Sequence, residues 1–363
     1  MAMKKIAYIL TDSRLGGTER FLLKIVKRLL LTGEYDIAVF TLIGDGTLNS
    51  ILSRMNIRNK NLRFTKLNSL KNFFKLKEAV SDFKPDFIHS FLFHANYFSA
   101  HLKKQLKYPK LIVSERCLDL NKNVLKIKLT KYYSRIADLV TAVSEEVMEL
   151  LMTRESIPKE KIILLKNGID QEDYLFTGKS TFRSEFNLSE NSFLIINIAR
   201  FRKEKGHHNL IYSFKEFLKE YPDSYLILTG EGEAEGSIKK LVLNNNLSSR
   251  VIFTGTRNDV MNLLKGSDLA VNSSLEEGFS AFNLEAILSE TPLILTDTGG
   301  NKELIKAGLG LGTGSSPEEI KDVMARFMKN RDSYSRSLSE KRKIMLESFS
   351  FKKIMKRLEE IYE

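Results

Sequence analysis

Short apolar runs alternate with amphipathic stretches along the chain, and about halfway the whole pattern begins again. Lys5–Leu10 reads as a strand, followed by a Gly16-Gly17 turn and by apolar positions at helical spacing over Phe21–Leu30. Tyr35–Leu42, Asp86–Ser90, Leu111–Ser114 and Leu139–Val143 read as further strands with helical stretches between them. The second series opens with Phe193–Ala199 (FLIINIA), an unbroken apolar run of the kind found in strands covered on both faces. A helix is predicted over Asn209–Tyr221, then Tyr225–Thr229 (strand), Glu235–Asn244 (helix), Val251–Thr254 (strand) and Asp259–Lys265 (helix). Leu269–Asn272 (strand), Asn283–Glu290 (helix) and Leu293–Thr296 (strand) complete it. Alternation of this kind predicts α/β architecture with parallel, doubly wound sheets, one in each half. The join falls near Asn167-Gly168-Ile169-Asp170 and the polar stretch 171–190. The expected domains are therefore 1–175 and 176–345. A closing segment, 346–363, carries Ile354, Leu358 and Ile361 at helical spacing and is expected to pack back on the N-terminal domain.

The chain's 363 residues supply enough apolar material for two cores. A single cysteine, Cys117, allows no internal disulfide and suits a reducing compartment. The first apolar stretch is too short for a signal peptide, and no run is long enough for a membrane-spanning helix. The expected location is thus cytoplasmic. Charge adds a second asymmetry. The formal net charge is +12, and residues 51–135 alone hold 19 Lys and Arg against 5 Asp and Glu. Such a stretch either forms a solvated surface or attracts anionic partners. Lys71, Lys75, Lys77, Lys103, Lys104, Lys107, Lys122, Lys126, Lys128 and Lys131 are candidates for contact with an anionic membrane surface, which would make the protein peripheral on the inner face of the cytoplasmic membrane. No recognised nucleic-acid motif accompanies the basic half, so nucleic acid is not an expected partner.

Two segments of the second half carry chemistry. In Glu277-Gly278-Phe279-Ser280-Ala281-Phe282-Asn283-Leu284-Glu285, two carboxylates flank a glycine turn and a helix start. Amides opening a helix suit a diphosphate, and carboxylates accept hydrogen bonds from sugar hydroxyls. Acidity at a helix start is the simpler alternative. Ala199-Arg200-Phe201-Arg202-Lys203-Glu204-Lys205-Gly206 follows the apolar strand directly, which puts cations at a strand's carboxyl end, where phosphate oxygens would be met. A basic surface loop is the alternative there.

These segments occur together in a series that resembles the donor half of retaining glycosyltransferases of family 4, which have the GT-B fold. The matching pieces are ARFRKEKGHHNLI, YLILTGEGE, VIFTGTRNDVMNLLKGSDLAVNSS, EEGFSAFNLEAILSETPLI and TDTGGNKELI, with looser matches at GGTERFLLKIVKRL, DFIHSFLFHAN, TAVSEEV and NGID. The resemblance implies two Rossmann-like domains facing a central cleft, an acceptor-binding one first and a nucleotide-sugar-binding one second. It implies that Arg200 and Lys205 bind the donor diphosphate, Glu285 holds the ribose and Glu277 contacts the transferred sugar. Gly278, Phe279 and Ser280 would line phosphate and sugar. Gly16 and Gly17 would close on the donor from the other domain, and His94 would lie near the sugar. The donor implied is a UDP-sugar, used without a metal or other cofactor. The acceptor is a hydroxyl of a glycan or lipid-linked molecule in cell-surface polysaccharide or glycolipid synthesis.

Ala199, Ser280 and the segment Ala281-Phe282-Asn283 depart from the commonest family pattern and bear on sugar choice. His94 sits among aromatics and also reads as a core histidine. Gly230-Glu231-Gly232 after a strand superficially suggests a dinucleotide loop, but the glycine spacing is wrong and the glutamates repel phosphate. No Asp-x-Asp occurs, so charge neutralisation falls to Arg200, Lys205 and helix amides. The alternative function is a nucleotide-sugar-binding regulatory protein without catalysis.

Overall fold

A computed structural model describes residues 3–65, 70–174, 176 and 178–363. Residues 66–69 of the basic stretch, and residue 175 at the expected join, lie outside the described residues. Contacts divide the chain into two compact units. Unit 1 is Met1–Asn167 with Ile354–Glu363, and unit 2 is Gly168–Lys353.

Unit 1 is built on seven parallel strands among the described residues: β1 (Lys4–Asp12), β2 (Tyr35–Ile43), β3 (Arg58–Asn61), β4 (Phe87–Phe91), β5 (Lys110–Glu115), β6 (Leu139–Ala142) and β7 (Ile162–Leu164). Their order is β3-β2-β1-β4-β5-β6-β7, with Ile6 opposite Ile37 on one side and Phe87 on the other. Ile6 through Leu10 are fully buried, as a central parallel strand requires. The helices are α1 (Gly17–Thr32), α2 (Thr47–Arg54), α3 (Leu70–Phe83), α4 (Phe93–Leu106), α5 (Val124–Ile136) and α6 (Glu145–Thr153). Helix α1 buries Phe21, Leu22, Ile25, Val26 and Leu29 along one stripe and ends at Gly33, whose φ of 71° lets its N–H reach back to the Leu30 carbonyl.

Unit 2 repeats the plan with six parallel strands among the described residues: β8 (Phe193–Ile198), β9 (Ser224–Thr229), β10 (Val251–Gly255), β11 (Leu269–Asn272), β12 (Leu293–Thr296) and β13 (Leu311–Thr313), in the order β10-β9-β8-β11-β12-β13. Its helices are α7 (Phe182–Glu185), α8 (His207–Phe217), α9 (Glu235–Asn244), α10 (Val260–Lys265), α11 (Ala281–Leu288), α12 (Gly300–Lys306), α13 (Pro317–Lys329), α14 (Arg331–Arg336) and α15 (Leu338–Ser348). Phe193, Phe214, Phe217 and Phe327 join Ile195, Leu226 and Leu228 in one core. Each such side chain contributes about 1.5–3 kcal/mol by leaving water. The last helix, α16 (Phe351–Ile361), starts in unit 2, and its body from Ile354 onward belongs to unit 1.

The C-terminus is held in unit 1 by a buried polar cluster. The Tyr362 hydroxyl lies 2.6 Å from His89 Nδ1 and 2.8 Å from the Tyr8 hydroxyl, and His89 Nε2 lies 2.8 Å from Ser114 Oγ. Burial, followed by the charge of Arg116, pushes His89 down to about 3, so its ring is neutral and structural.

Each sheet reverses its strand order once, between β1 and β4 in unit 1 and between β8 and β11 in unit 2. In doubly wound sheets the crevice at this reversal, beyond the carboxyl ends of the strands, is where ligands sit. In unit 1 those ends lead to Gly16-Gly17 and to His94. In unit 2 they lead to Arg200–Lys205 and to the segment containing Glu277.

Candidate functional site

In unit 2 the two chemistry-bearing segments meet. Strand β8 runs into Arg200, which is half-buried, and a single 3-10 turn at Lys203–Lys205 turns the chain into α8. Gly206 makes that turn with φ at 65°, and a Cβ there would stand 1.9 Å from the Ser273 carbonyl oxygen. Only glycine lets the Lys205 turn approach the end of β11 this closely. The Ser273 hydroxyl donates to the Lys205 carbonyl at 3.0 Å, and the Leu275 amide donates to the Glu204 carbonyl at 2.8 Å. The Lys205 ammonium thereby reaches Glu277 Oε2 at 2.7 Å, where the Ser274 hydroxyl also donates at 2.9 Å. Glu277 is 7% exposed, so this is a largely desolvated ion pair.

Glu277 is also shaped from the opposite side. Gly299, with φ at 52°, passes so close that a Cβ would lie 1.5 Å from the Glu277 carbonyl oxygen, and the Gly300 amide donates to the Gly278 carbonyl at 2.9 Å. Beneath the segment runs a relay of buried amides. Asn272 Nδ2 donates to Asn283 Oδ1 (2.8 Å), Asn283 Nδ2 donates to Asn301 Oδ1 (2.7 Å), and Asn301 Nδ2 donates to the Thr296 carbonyl (3.0 Å). Asn272 Oδ1 accepts from the Ser274 amide at 3.0 Å. The ends of β11 and β12 and the start of α11 are thus cross-linked by satisfied polar groups, which rigidify a site.

Gly278 and Phe279 are buried and Ser280 is half-buried; Ser280 precedes α11 in extended conformation without a side-chain cap bond. Glu285 lies in the second turn of α11, half-buried, and accepts a hydrogen bond from the Tyr174 hydroxyl at 2.7 Å. The helix starts at Ala281, two residues before the start expected from sequence, with the extended Ser280 as its N-cap residue.

Two groups of residues in this region carry no strong local signal. One is the amide relay. The other is Gly230-Glu231-Gly232. A Cβ on Gly230 would meet the Ala199 carbonyl oxygen at 2.1 Å, one on Gly232 would meet that of Phe201 at 2.3 Å, and the Phe201 amide donates to the Glu231 carbonyl at 2.9 Å. This loop braces the backbone on either side of Arg200. His207, buried behind it with its ring edge-on to Phe201, is pushed down to about 4 by burial and then by Lys205.

In unit 1, α1 starts at the Gly16-Gly17 turn. The Gly16 amide donates to Glu19 Oε2 at 2.9 Å, and the Cβ position of Gly17 is open, with nothing within 4 Å. His94 is the second residue of α4 and half-buried. The helix itself follows Leu92, whose φ of 72° is a strained conformation for a residue with a side chain. The Ala95 amide donates to Thr11 Oγ1 at 3.2 Å, tying the α4 start to the end of β1. Burial, then Lys126, lowers the His94 pKa.

The basic stretch is less uniform than its sequence suggests. Lys122 is no surface contact: its ammonium is buried 3.1 Å from Glu155 Oε1, beside Glu115. Lys71, Lys75, Lys104, Lys107, Lys126 and Lys128 are exposed. So are Leu70, Phe74, Tyr108, Val124 and Leu125. Among the described residues, no helix is long and apolar enough to cross a membrane and no three His, Cys, Asp or Glu side chains are grouped to hold a metal ion.

Comparison with known proteins adds to this geometry. Residues 178–344 match the family described as glycosyl transferases group 1, and residues 15–173 match glycosyltransferase family 4. The N-acetyl-alpha-D-glucosaminyl L-malate synthase of Bacillus anthracis is 30% identical over 234 residues, covering 62% of this chain and 59% of that protein. A UDP-Gal:alpha-D-GlcNAc-diphosphoundecaprenol alpha-1,3-galactosyltransferase of Escherichia coli is 30% identical over 166 residues, covering 44% of this chain and 43% of that one. For three of the curated relatives the match spans between 59 and 63% of their own length. Among solved structures, Anabaena HepE in complex with UDP-glucose superposes with a TM-score of 0.87 at 21% identity, over 98% of both chains. A glycosyltransferase from Rickettsia africae does so with 0.83 at 21%, over 99% of this chain and 98% of the other. With two parallel α/β units and family matches that together run from residue 15 to residue 344, the chain belongs to the glycosyltransferases of family 4 type, with the GT-B fold of two Rossmann-like domains.

Proposed function

We propose that the protein is a retaining glycosyltransferase that moves a sugar from a UDP-sugar to a hydroxyl of a glycan or lipid-linked acceptor. Unit 2 takes the donor and unit 1 the acceptor. The observation that supports this reading is the pairing of Lys205 with Glu277 beyond the strand-order reversal of unit 2, in the two segments that also carry Arg200, Gly278–Ser280 and Glu285. Cations and helix amides there suit a pyrophosphate, and the carboxylates suit sugar hydroxyls at either end of it. UDP-glucose bound to Anabaena HepE, and the UDP-galactose named for the Escherichia coli relative, support the choice of nucleotide.

In this reaction the acceptor oxygen bonds to the anomeric carbon as the bond from that carbon to the β-phosphate oxygen breaks. The acceptor proton passes to the departing phosphate oxygen, and the new bond forms on the face the nucleotide leaves. Arg200 and Lys205 stabilise the charge that accumulates on the diphosphate, so no divalent cation or cofactor is required. Glu277 holds the transferred sugar, with Gly278, Phe279 and Ser280 lining it. Gly16, Gly17 and His94 serve from unit 1.

Exposed apolar and basic residues of α3, α4 and α5 supply the acceptor side. The connections carrying these helices all step the same way across the sheet, so right-handed crossovers place them on one face. Apolar Phe74, Val124 and Leu125 interleaved with Lys71, Lys75, Lys126 and Lys128 suit the surface of an anionic bilayer, where a lipid-linked acceptor resides.

The test is a thermal-shift screen of nucleotides and nucleotide sugars, followed by NMR of the product's anomeric configuration. Stabilisation by UDP and an α-linked product from an α-configured UDP-sugar are expected, with activity persisting in EDTA. An inverted product overturns the retaining mechanism. UDP binding without UDP release in the presence of acceptor extracts would mark a binding protein instead.

A further inference from the structure

Tyr174 ends a single 3-10 turn, Gln171–Tyr174, six residues after the start of unit 2 at Gly168. Its hydroxyl reaches across 111 positions of sequence to donate to Glu285 Oε1 at 2.7 Å. The turn is anchored just upstream. The Ile169 amide donates to the Phe349 carbonyl and the Ile169 carbonyl accepts from the Phe351 amide, both at 2.9 Å. The Phe349 ring packs 5.4 Å from that of Phe279, inside the segment that carries Glu277. One scaffold therefore supports both the phenol and the carboxylate it holds.

A glutamate on a helix face has three side-chain torsions and adopts several rotamers. A carboxylate that must accept from the two hydroxyls of a ribose needs a defined plane. A phenol on a rigid ring, bonded to one carboxylate oxygen, sets that plane before ligand arrives, and pre-organisation of this kind is what lowers the entropy lost on binding. We infer that Tyr174 is a positioning residue for ribose recognition, orienting Glu285 through this hydrogen bond. The inference rests on the reading of Glu285 as the ribose ligand.

The experiment compares UDP with 2′,3′-dideoxy-UDP by isothermal titration calorimetry on the full chain, for the wild type, Tyr174→Phe and Glu285→Ala. Tyr174→Phe deletes only the hydroxyl, and its thermal midpoint checks the fold. The expected result is a five- to tenfold weaker Kd for UDP in Tyr174→Phe with the dideoxy analogue unaffected, and a larger loss of the same selectivity in Glu285→Ala. If Glu285→Ala loses the preference for UDP over the dideoxy analogue and Tyr174→Phe binds both as the wild type does, or loses equally on both, the positioning role is overturned alone. If Glu285→Ala keeps the wild type's preference for UDP over the dideoxy analogue, or the wild type binds neither probe, the ribose assignment of Glu285 falls and this inference with it.

Discussion

The ion pair between Lys205 and Glu277 makes a demanding prediction, because it has to serve both stability and chemistry. Lys205→Met keeps most of the side chain's apolar length and removes the ammonium. Glu277, with 8% of its side chain exposed, is then a buried carboxylate supported by the Ser274 hydroxyl. Removing one partner of a buried pair costs about 3–5 kcal/mol. The Lys205 side chain retains 22% exposure, so water replaces part of what is lost and roughly 2–3 kcal/mol is expected. For a domain of this size that is roughly a 4–12 °C fall in melting temperature. The double variant Lys205→Met/Glu277→Gln removes the stranded charge and should recover most of that loss, giving a coupling of about 1–3 kcal/mol in a double-mutant cycle. Transfer should behave differently. Loss of one preorganised charge stabiliser lowers kcat/KM by about 10²-fold or more, and neutralising Glu277 does not bring it back. The assays are thermal or urea unfolding for stability, and calorimetric UDP affinity with UDP release for the site. A double variant that regains both stability and UDP release would show that Lys205 merely neutralises Glu277. A single variant as stable as wild type would refute the buried-pair argument itself.

Acid sensitivity and membrane binding give further checks. His89 in unit 1 and His207 in unit 2 have folded-state values of about 3 and about 4, below the ordinary 6.5 of the unfolded chain. Between pH 6.5 and 4 the unfolded state therefore binds protons the folded state refuses, and stability falls as pH is lowered, by about 1.4 kcal/mol per pH unit for each histidine at the steepest point. Urea midpoints measured at pH 7.5 and 5.0 should differ accordingly, and identical midpoints would count against neutral, buried rings. Replacing Lys71, Lys75, Lys126 and Lys128 by Gln should abolish co-sedimentation with anionic vesicles at low salt, at about 1 kcal/mol per lysine, with the thermal midpoint unchanged. Equal partition of the wild type onto neutral and anionic vesicles would sink the membrane reading. Arg200→Ala should cut kcat/KM by about 10²-fold or more in the same UDP-release assay. Near-normal release would remove Arg200 from the diphosphate site.

Most of the strands that the apolar pattern marks are buried on both faces, the half-buried edge strand β10 being an exception. FLIINI at β8 is legible because a central strand of a parallel sheet touches helices above and below, and so admits few polar residues. The edge strands β3 (RNKN), β7 (IIL) and β13 (LGT) carry no comparable run, being short and covered on one edge only. They form because a neighbouring strand offers unpaired backbone groups, and that offer exists only in three dimensions. Helix α8 likewise starts at His207, ahead of its apolar stripe, because Gly206 turns the chain there against Ser273.

The candidate site divides in the same way. Arg200, Lys205, Glu277 and Glu285 stood out in the sequence as candidates because they lie in two segments, beside a strand end and a helix start, that resemble the family pattern. What the sequence alone left undetermined was which of them touch. The Lys205–Glu277 pair spans 72 positions and the Tyr174–Glu285 bond 111. The asparagines at 272, 283 and 301 are unremarkable one by one, and the glycines at 230 and 232, whose spacing excludes a nucleotide loop, have a visible purpose only once their contact with Ala199 and Phe201 is seen. Lys122 shows the reverse: a basic residue in a basic stretch that the fold buries against Glu155. Local chemistry is written residue by residue, whereas burial and pairing depend on which strand ends are brought side by side, and that is a property of the assembled sheet.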